Sequence, residues 1–97
     1  MTLLELQSAV DDRRALPASA PALVRALWHD ATGDWDEAHR LAQDVESADG
    51  AWVHAYLHRR EGDIGNAQYW YRRAGRPEAS GPLEDEWREI AAALLEG

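Results

Sequence analysis

At 97 residues, with 45% apolar content, a net charge of −8 and no cysteine, the chain makes one small domain that must fold without disulfides or thiolate metal sites. The acidic balance excludes general nucleic-acid binding, because neutralising phosphates takes a basic surface. The N-terminus MTLLELQSAVDD offers no basic leader and no apolar run long enough for a signal peptide or a membrane span, so a bacterial-type cytoplasmic protein with no membrane contact is expected.

Leu3, Leu6 and Val10 form one stripe of a first helix, expected over about 2–15 and stopped by Leu16-Pro17. Pro21 opens a second helix where its missing amide proton costs nothing, and Ala22, Leu23, Ala26 and Leu27 carry it to Gly33. Asp34 caps a third helix, with Glu37 three residues on completing a capping box. Trp35, Ala38, Leu41, Ala42 and Val45 form its apolar face. The fourth helix opens at Asp49 and runs to Gly62; Asp63 caps the fifth, which ends at Ala74-Gly75. After the loop RPEASGP, Pro82 starts a last helix bearing Leu83, Trp87, Ile90, Ala91 and Leu94. No alternating run bounded by turn residues suggests a strand.

Residues 26–45 fall without gaps onto 55–74, a 29-residue repeat in which Ala26/Ala55, His29/His58, Gly33/Gly62, Asp34/Asp63 and Ala38/Ala67 are identical pairs. A duplicated unit with Gly-Asp at its centre is a helix-turn-helix hairpin that buries its apolar face only by stacking on a neighbour. The expectation is one all-α domain over 1–97. It has about six helices in stacked antiparallel hairpins, with repeat units at about 22–47 and 50–75 and flanking helices at 2–15 and 82–96.

Gly62, Ile64, Ala67, Tyr71 and Ala74, with Pro77 after them, follow the order of a tetratricopeptide repeat, and Gly33, Trp35 and Ala38 keep part of it. Over residues 22–77 the chain thus resembles tetratricopeptide-repeat proteins. The string HAYLHRREGDIGNAQYWYRRAGRP is also similar to a group of small bacterial proteins with this fold, a likeness that carries over no activity. The resemblance implies an interaction domain. Two features depart from it: the period is 29, against roughly 34 in the family, and the first helix of each unit is strongly apolar, at Leu23, Val24, Leu27, Trp28 and at Trp52, Val53, Tyr56, Leu57. The first or last helix is therefore expected to cover the face that lines the family's peptide groove.

Several residues carry candidate chemistry. His54, His58 and Glu61 fall within about 60° of one another on a helical wheel and could supply two imidazoles and a carboxylate to a divalent metal, although the arrangement is not His-Glu-x-x-His. The competing reading makes His29 and His58, in the same slot of both hairpins, structural: each packs against the next helix and bonds a nearby polar group. Asn66, Tyr69 and Arg73 lie at i, i+3, i+4 spacing and could hold a carboxylate or phosphate, or equally brace the last helix. Residues 54–76 carry a local excess of three positive charges, which the acidic residues Glu84, Asp85, Glu86 and Glu89 of the last helix would answer. Trp35, Trp70 and Trp87 read as core; Trp28, Trp52 and Tyr56 read as contacts for a partner or a second copy of the chain.

Ser8, Ser19, Ser47 and Ser80 lie near helix ends or in loops with no glycine-flanked elbow, and no phosphate-cradling glycine loop is present, so an enzyme is not expected. The leading expectation is a non-enzymatic protein-interaction domain needing no cofactor, with a protein partner or a homodimer contacted through Trp28, Trp52, Tyr56, His58, Asn66, Tyr69 and Arg73. The alternative is a small-molecule, anion or metal-binding protein, or an enzyme, with its site around His54, His58, Glu61, Asn66, Tyr69 and Arg73.

Overall fold

Local signals along the chain set six helices in the computed structural model, which describes residues 1–96: α1 (Leu3–Asp11), α2 (Ala22–Ala31), α3 (Trp35–Gln43), α4 (Ala48–Arg60), α5 (Ile64–Ala74) and α6 (Leu83–Glu96). No strand occurs among the described residues. Gly33 and Gly62 take φ of 96° and 85°, a left-handed backbone that side chains resist, and so end α2 and α4 at the same point of the repeat. Asp34 and Asp63 then cap α3 and α5 by accepting the amide protons of Glu37 and Asn66.

Two boundaries and the place of the capping box differ from the sequence reading. The first helix stops at Asp11 and not near 15, because Arg13 adopts a φ of 50° and the Arg14 amide folds back onto the Ala9 carbonyl at 2.8 Å. Ser47, not Asp49, caps α4, its hydroxyl accepting the Gly50 amide at 3.0 Å. The capping box is at Thr2/Glu5, where side chain and backbone bond reciprocally. At Asp34 the box is only half formed, since the Glu37 carboxylate pairs with Arg40.

Packing follows the apolar stripes. Helices α2 and α3 pack together, as do α4 and α5, and α3 joins the pairs by packing on α4. Helix α6 lies across α2 and α4, while α1 packs on α2 and α6. The apolar face of α2 and α4 is thereby covered: Leu27, Trp52 and Tyr56 are all buried. Gly50 to Leu57 form eight consecutive buried positions, which makes α4 the central helix and takes the polar groups among them out of water. Helix α5 packs on α4, reaches α6 only through the Tyr71 hydroxyl, and leaves Ile64 and Tyr69 exposed.

Candidate functional site

Polar groups on α4 divide into two sets about half a turn apart. At 100° per residue, Trp52, Tyr56, Arg59 and Arg60 share one side, and His54 and His58 point the opposite way.

On the first side sit two buried carboxylates. Glu86 of α6 accepts from the Tyr71 hydroxyl at 2.7 Å, from Arg59 at 2.9 Å and from the Trp52 indole at 3.3 Å. Asp30 of α2 accepts from the Tyr56 hydroxyl at 3.0 Å, and its other oxygen has Arg60 Nε at 3.1 Å, an ion-pair contact without hydrogen-bond alignment. Burial pushes the Asp30 carboxyl above its ordinary range against the pull of Arg60 and Tyr56. Burial likewise pushes both phenols up, reinforced at Tyr56 by the Asp30 charge and at Tyr71 by the bond to Glu86. These contacts tie α6 and α2 to α4. The acidic last helix does answer the basic segment, but through Glu86 alone among the four acidic residues named for it.

On the second side the chain gathers aromatic rings from three helices. Trp70 of α5, His54 and His58 form a column, Trp70 stacked on His54 at 3.9 Å and His54 on His58 at 4.9 Å between centroids. Trp35 and His39 of α3, stacked at 4.8 Å, meet this column edge-on, with His39 at 4.5 Å from His54 and 5.2 Å from His58. One ligating nitrogen from each of His39, His54 and His58 lies within 4.8 Å of the other two. His58 Nδ1 is buried with no hydrogen-bond partner, the nearest carboxylate being Asp63 at 3.9 Å. Burial holds the His54 imidazole down at about 4, helped by His39 and His58, and burial also lowers His39. At neutral pH His54 therefore presents a free lone pair. Beyond Trp70 the Arg73 guanidinium lies 5.3 Å over the indole, and a cleft of about 450 Å³ opens beside the cluster, with His54, Trp70 and Arg73 among its walls.

The structure thus regroups the sequence candidates. His54 and His58 do converge, but their third partner is His39, not Glu61, which caps the exposed end of α4. His39 escaped notice because its counterpart in the second repeat is Gln68 and its approach comes from packing of α3 on α4. His29 is outside the cluster, edge-on to Trp28, so the two repeat-related histidines have different surroundings, and His58 Nδ1 lacks the polar partner expected of it. Asn66 is held by the capping residue Asp63 at 2.6 Å; Tyr69 bonds Arg73 at 3.0 Å. Of these three, Arg73 alone reaches the cleft. Trp52 and Tyr56 are buried and bonded to Glu86 and Asp30, leaving no free surface for a partner, and the Trp28 indole donates to Ala9 of α1 at 3.4 Å. Trp87 is core as expected, whereas Trp35 and Trp70 are half-buried walls of the histidine cluster.

Against known proteins, the chain matches no family model, no curated protein and no solved structure. Among the described residues no helix is long and apolar enough to cross a membrane.

Proposed function

We propose that this protein binds a divalent transition metal through His39, His54 and His58. The observation that supports it is the convergence of three imidazoles from two helices on the interior side of α4, with a buried ring nitrogen left unbonded. An interior polar atom without a partner costs about 1–3 kcal/mol, and a bound metal would relieve it. An all-imidazole set suits zinc, nickel, cobalt or copper. Tetrahedral zinc at 2.0–2.1 Å from each nitrogen needs nitrogens about 3.3 Å apart, so the most distant pair must close by about 1.5 Å, within reach of a side-chain rotation. His54 and His58 sit one helical turn apart, the spacing at which two side chains of a helix meet one ion. The Asp63 carboxylate, 3.9 Å from His58 Nδ1, puts a negative charge beside the cluster that favours a cation there. Trp35 and Trp70 brace the rings and keep the site apolar. Three protein ligands leave a position open.

Calorimetric titration of tag-free protein with Zn²⁺ tests the reading. One ion per chain is expected, with affinity falling at least about tenfold, or 1.4 kcal/mol, in His39→Ala and staying unchanged in His29→Ala. Equal affinity in both variants, or no saturable binding, would overturn it.

A second reading keeps the interaction domain with a protein partner or second copy of the chain. It treats the pairs α2–α3 and α4–α5 as tetratricopeptide-like hairpins stacked side by side, in keeping with the sequence repeat. The observation in its favour is α5, an edge helix exposing Ile64 at 48% and Tyr69 at 43% beside Arg72 and Arg73. Light scattering over a concentration series tests it: a dimer weakened by Tyr69→Ser supports it, and a strict monomer removes self-association.

A further inference from the structure

A second cleft, of about 520 Å³, opens on the carboxylate side of α4, between α1, α2 and α6. Asp30 and Tyr56 line its floor, and Leu4, Val10, Ala31 and Trp87 are its apolar walls. Asp30 is only 3% exposed; its Oδ2 accepts from the Tyr56 hydroxyl, but among the described residues no donor is aligned on Oδ1. The Arg60 guanidinium touches both groups, with Nε 3.1 Å from Oδ1 and Nη1 3.4 Å from the phenol oxygen. The first contact is unaligned and the second is long, because the planar fork cannot turn one N–H without turning the rest. One cation placed here thus reaches both acceptors, and the cation the chain supplies satisfies neither well. The surroundings favour positive charge. Asp11, Ala31 and Arg60 are the last residues of α1, α2 and α4, whose carbonyl ends carry partial negative charge, and Glu84 adds a carboxylate. Of the two arginines on the walls, Arg88 is paired with Asp85 outside the cleft, and Arg60 is half-exposed, so it can swing into solvent without unpacking the core.

We infer that this cleft binds a primary amine with an apolar body, its ammonium taking the place of the Arg60 guanidinium against Asp30 and Tyr56. An ammonium is a compact charge whose N–H groups rotate freely, so it can align one on Asp30 Oδ1 and another on the phenol oxygen. The exchange keeps a cation beside the buried carboxylate, which is therefore never left unpaired. Leu4, 72% exposed on the cleft wall, and Trp87 receive the hydrocarbon part, and the volume suits an arylalkyl amine. The site lies across α4 from the histidines and stands whether or not they hold a metal.

The experiment titrates the full isotope-labelled chain with phenethylamine and follows the indole N–H of Trp87 by NMR. Phenethyl alcohol carries the body without the charge, and ethylamine the charge without the body. Expected are a shift that saturates with phenethylamine at lower concentration than with ethylamine, and none with the alcohol. Asp30→Asn is expected to weaken phenethylamine at least about tenfold, and His39→Ala to leave it unchanged. Arg60→Ala removes the competing cation and is expected to tighten it severalfold. Because that variant leaves Asp30 unpaired, phenethylamine should raise its urea midpoint more than it raises the parent's. No saturable shift, an alcohol that binds as well as the amine, or an amine affinity unmoved by Asp30→Asn overturns the inference. Weaker amine binding in Arg60→Ala overturns it too, and decides the matter even where Asp30→Asn fails to fold.

Discussion

On the side of α4 that meets α2 and α6, each buried carboxylate is met by a phenol and a guanidinium: Glu86 by Tyr71, Arg59 and Trp52, Asp30 by Tyr56 and Arg60. On the side that meets α3 and α5, three imidazoles crowd together with no hydrogen bond among them, and two indoles flank them. One helix therefore carries two polar interiors of opposite design. The carboxylate side sets donors and cations against acceptors within the chain and fixes the covering helix α6, with Asp30 Oδ1 held by the Arg60 charge and not by a hydrogen bond. The imidazole side keeps lone pairs unspent. A group whose hydrogen bonds are complete is explained by the fold, and a buried group whose bonds are missing needs either an added ligand or a stability cost that the rest of the fold offsets.

Breaking the carboxylate side is expected to give the largest effect. Glu86→Ala strands the Arg59 charge, the Tyr71 hydroxyl and the Trp52 indole in the interior, and truncating one partner of a buried pair costs about 3–5 kcal/mol. Urea melts of the variant check it; a loss below about 1 kcal/mol would mean that water replaces the carboxylate freely and that the two sides are alike. Alkali probes the same network without mutation. Tyr56 and Tyr71 hold their protons more tightly in the fold than at the ordinary value of 10.0, so the unfolded chain loses protons first as pH rises. Stability is complete below pH 10 and falls above it, by about 1.4 kcal/mol per pH unit for each tyrosine. Denaturant midpoints at pH 9 and above 10, read with phenolate absorption, check the sign; a midpoint constant across that range contradicts it.

Much of the fold was legible because its signals are local. The two Gly-Asp turns, the apolar stripes and the prolines mark helix starts and stops within a few residues, and the repeat doubles the evidence. The end of α1 was not legible, because it depends on Arg13 entering a backbone region that an arginine seldom visits. The site was half legible. The one-turn spacing of His54 and His58 follows from helix geometry, but His39 joins them only through the packing of α3 on α4, which no spacing along the chain encodes. For the same reason Trp52 and Tyr56 read as surface anchors: the acceptors that hold them, Glu86 and Asp30, are 34 and 26 residues away.

The imidazole side should respond more mildly. His58 packs edge-on against Trp35 at 5.9 Å and stacks on His54, but it has no bond at Nδ1 to lose. His58→Ala then forfeits packing alone and is expected to cost about 1–2 kcal/mol, the low end of large-to-small core changes. Thermal melts with and without Zn²⁺ check it: the parent should gain stability from zinc and the variant should not. A cost near that of Glu86→Ala would show that His58 carries structural bonds after all.

The smallest expected effect is the sharpest test. His54 is buried between the faces of Trp70 and His58 and makes no hydrogen bond, and burial already holds it neutral. Replacing an unbonded buried polar ring by an apolar ring of similar shape removes a desolvation penalty while keeping the stack, so it is nearly neutral or even stabilising. We expect His54→Phe to change the urea midpoint by no more than about 1 kcal/mol in either direction, the extra ring atom accounting for any loss through crowding. The same variant deletes one of three imidazoles and should lose zinc affinity at least about tenfold. Stability retained with metal binding lost separates the two sides of α4 in a single protein. Stability lost with metal binding retained would mean that His54 belongs to the scaffold and that His39 and His58 are not joined by it around an ion.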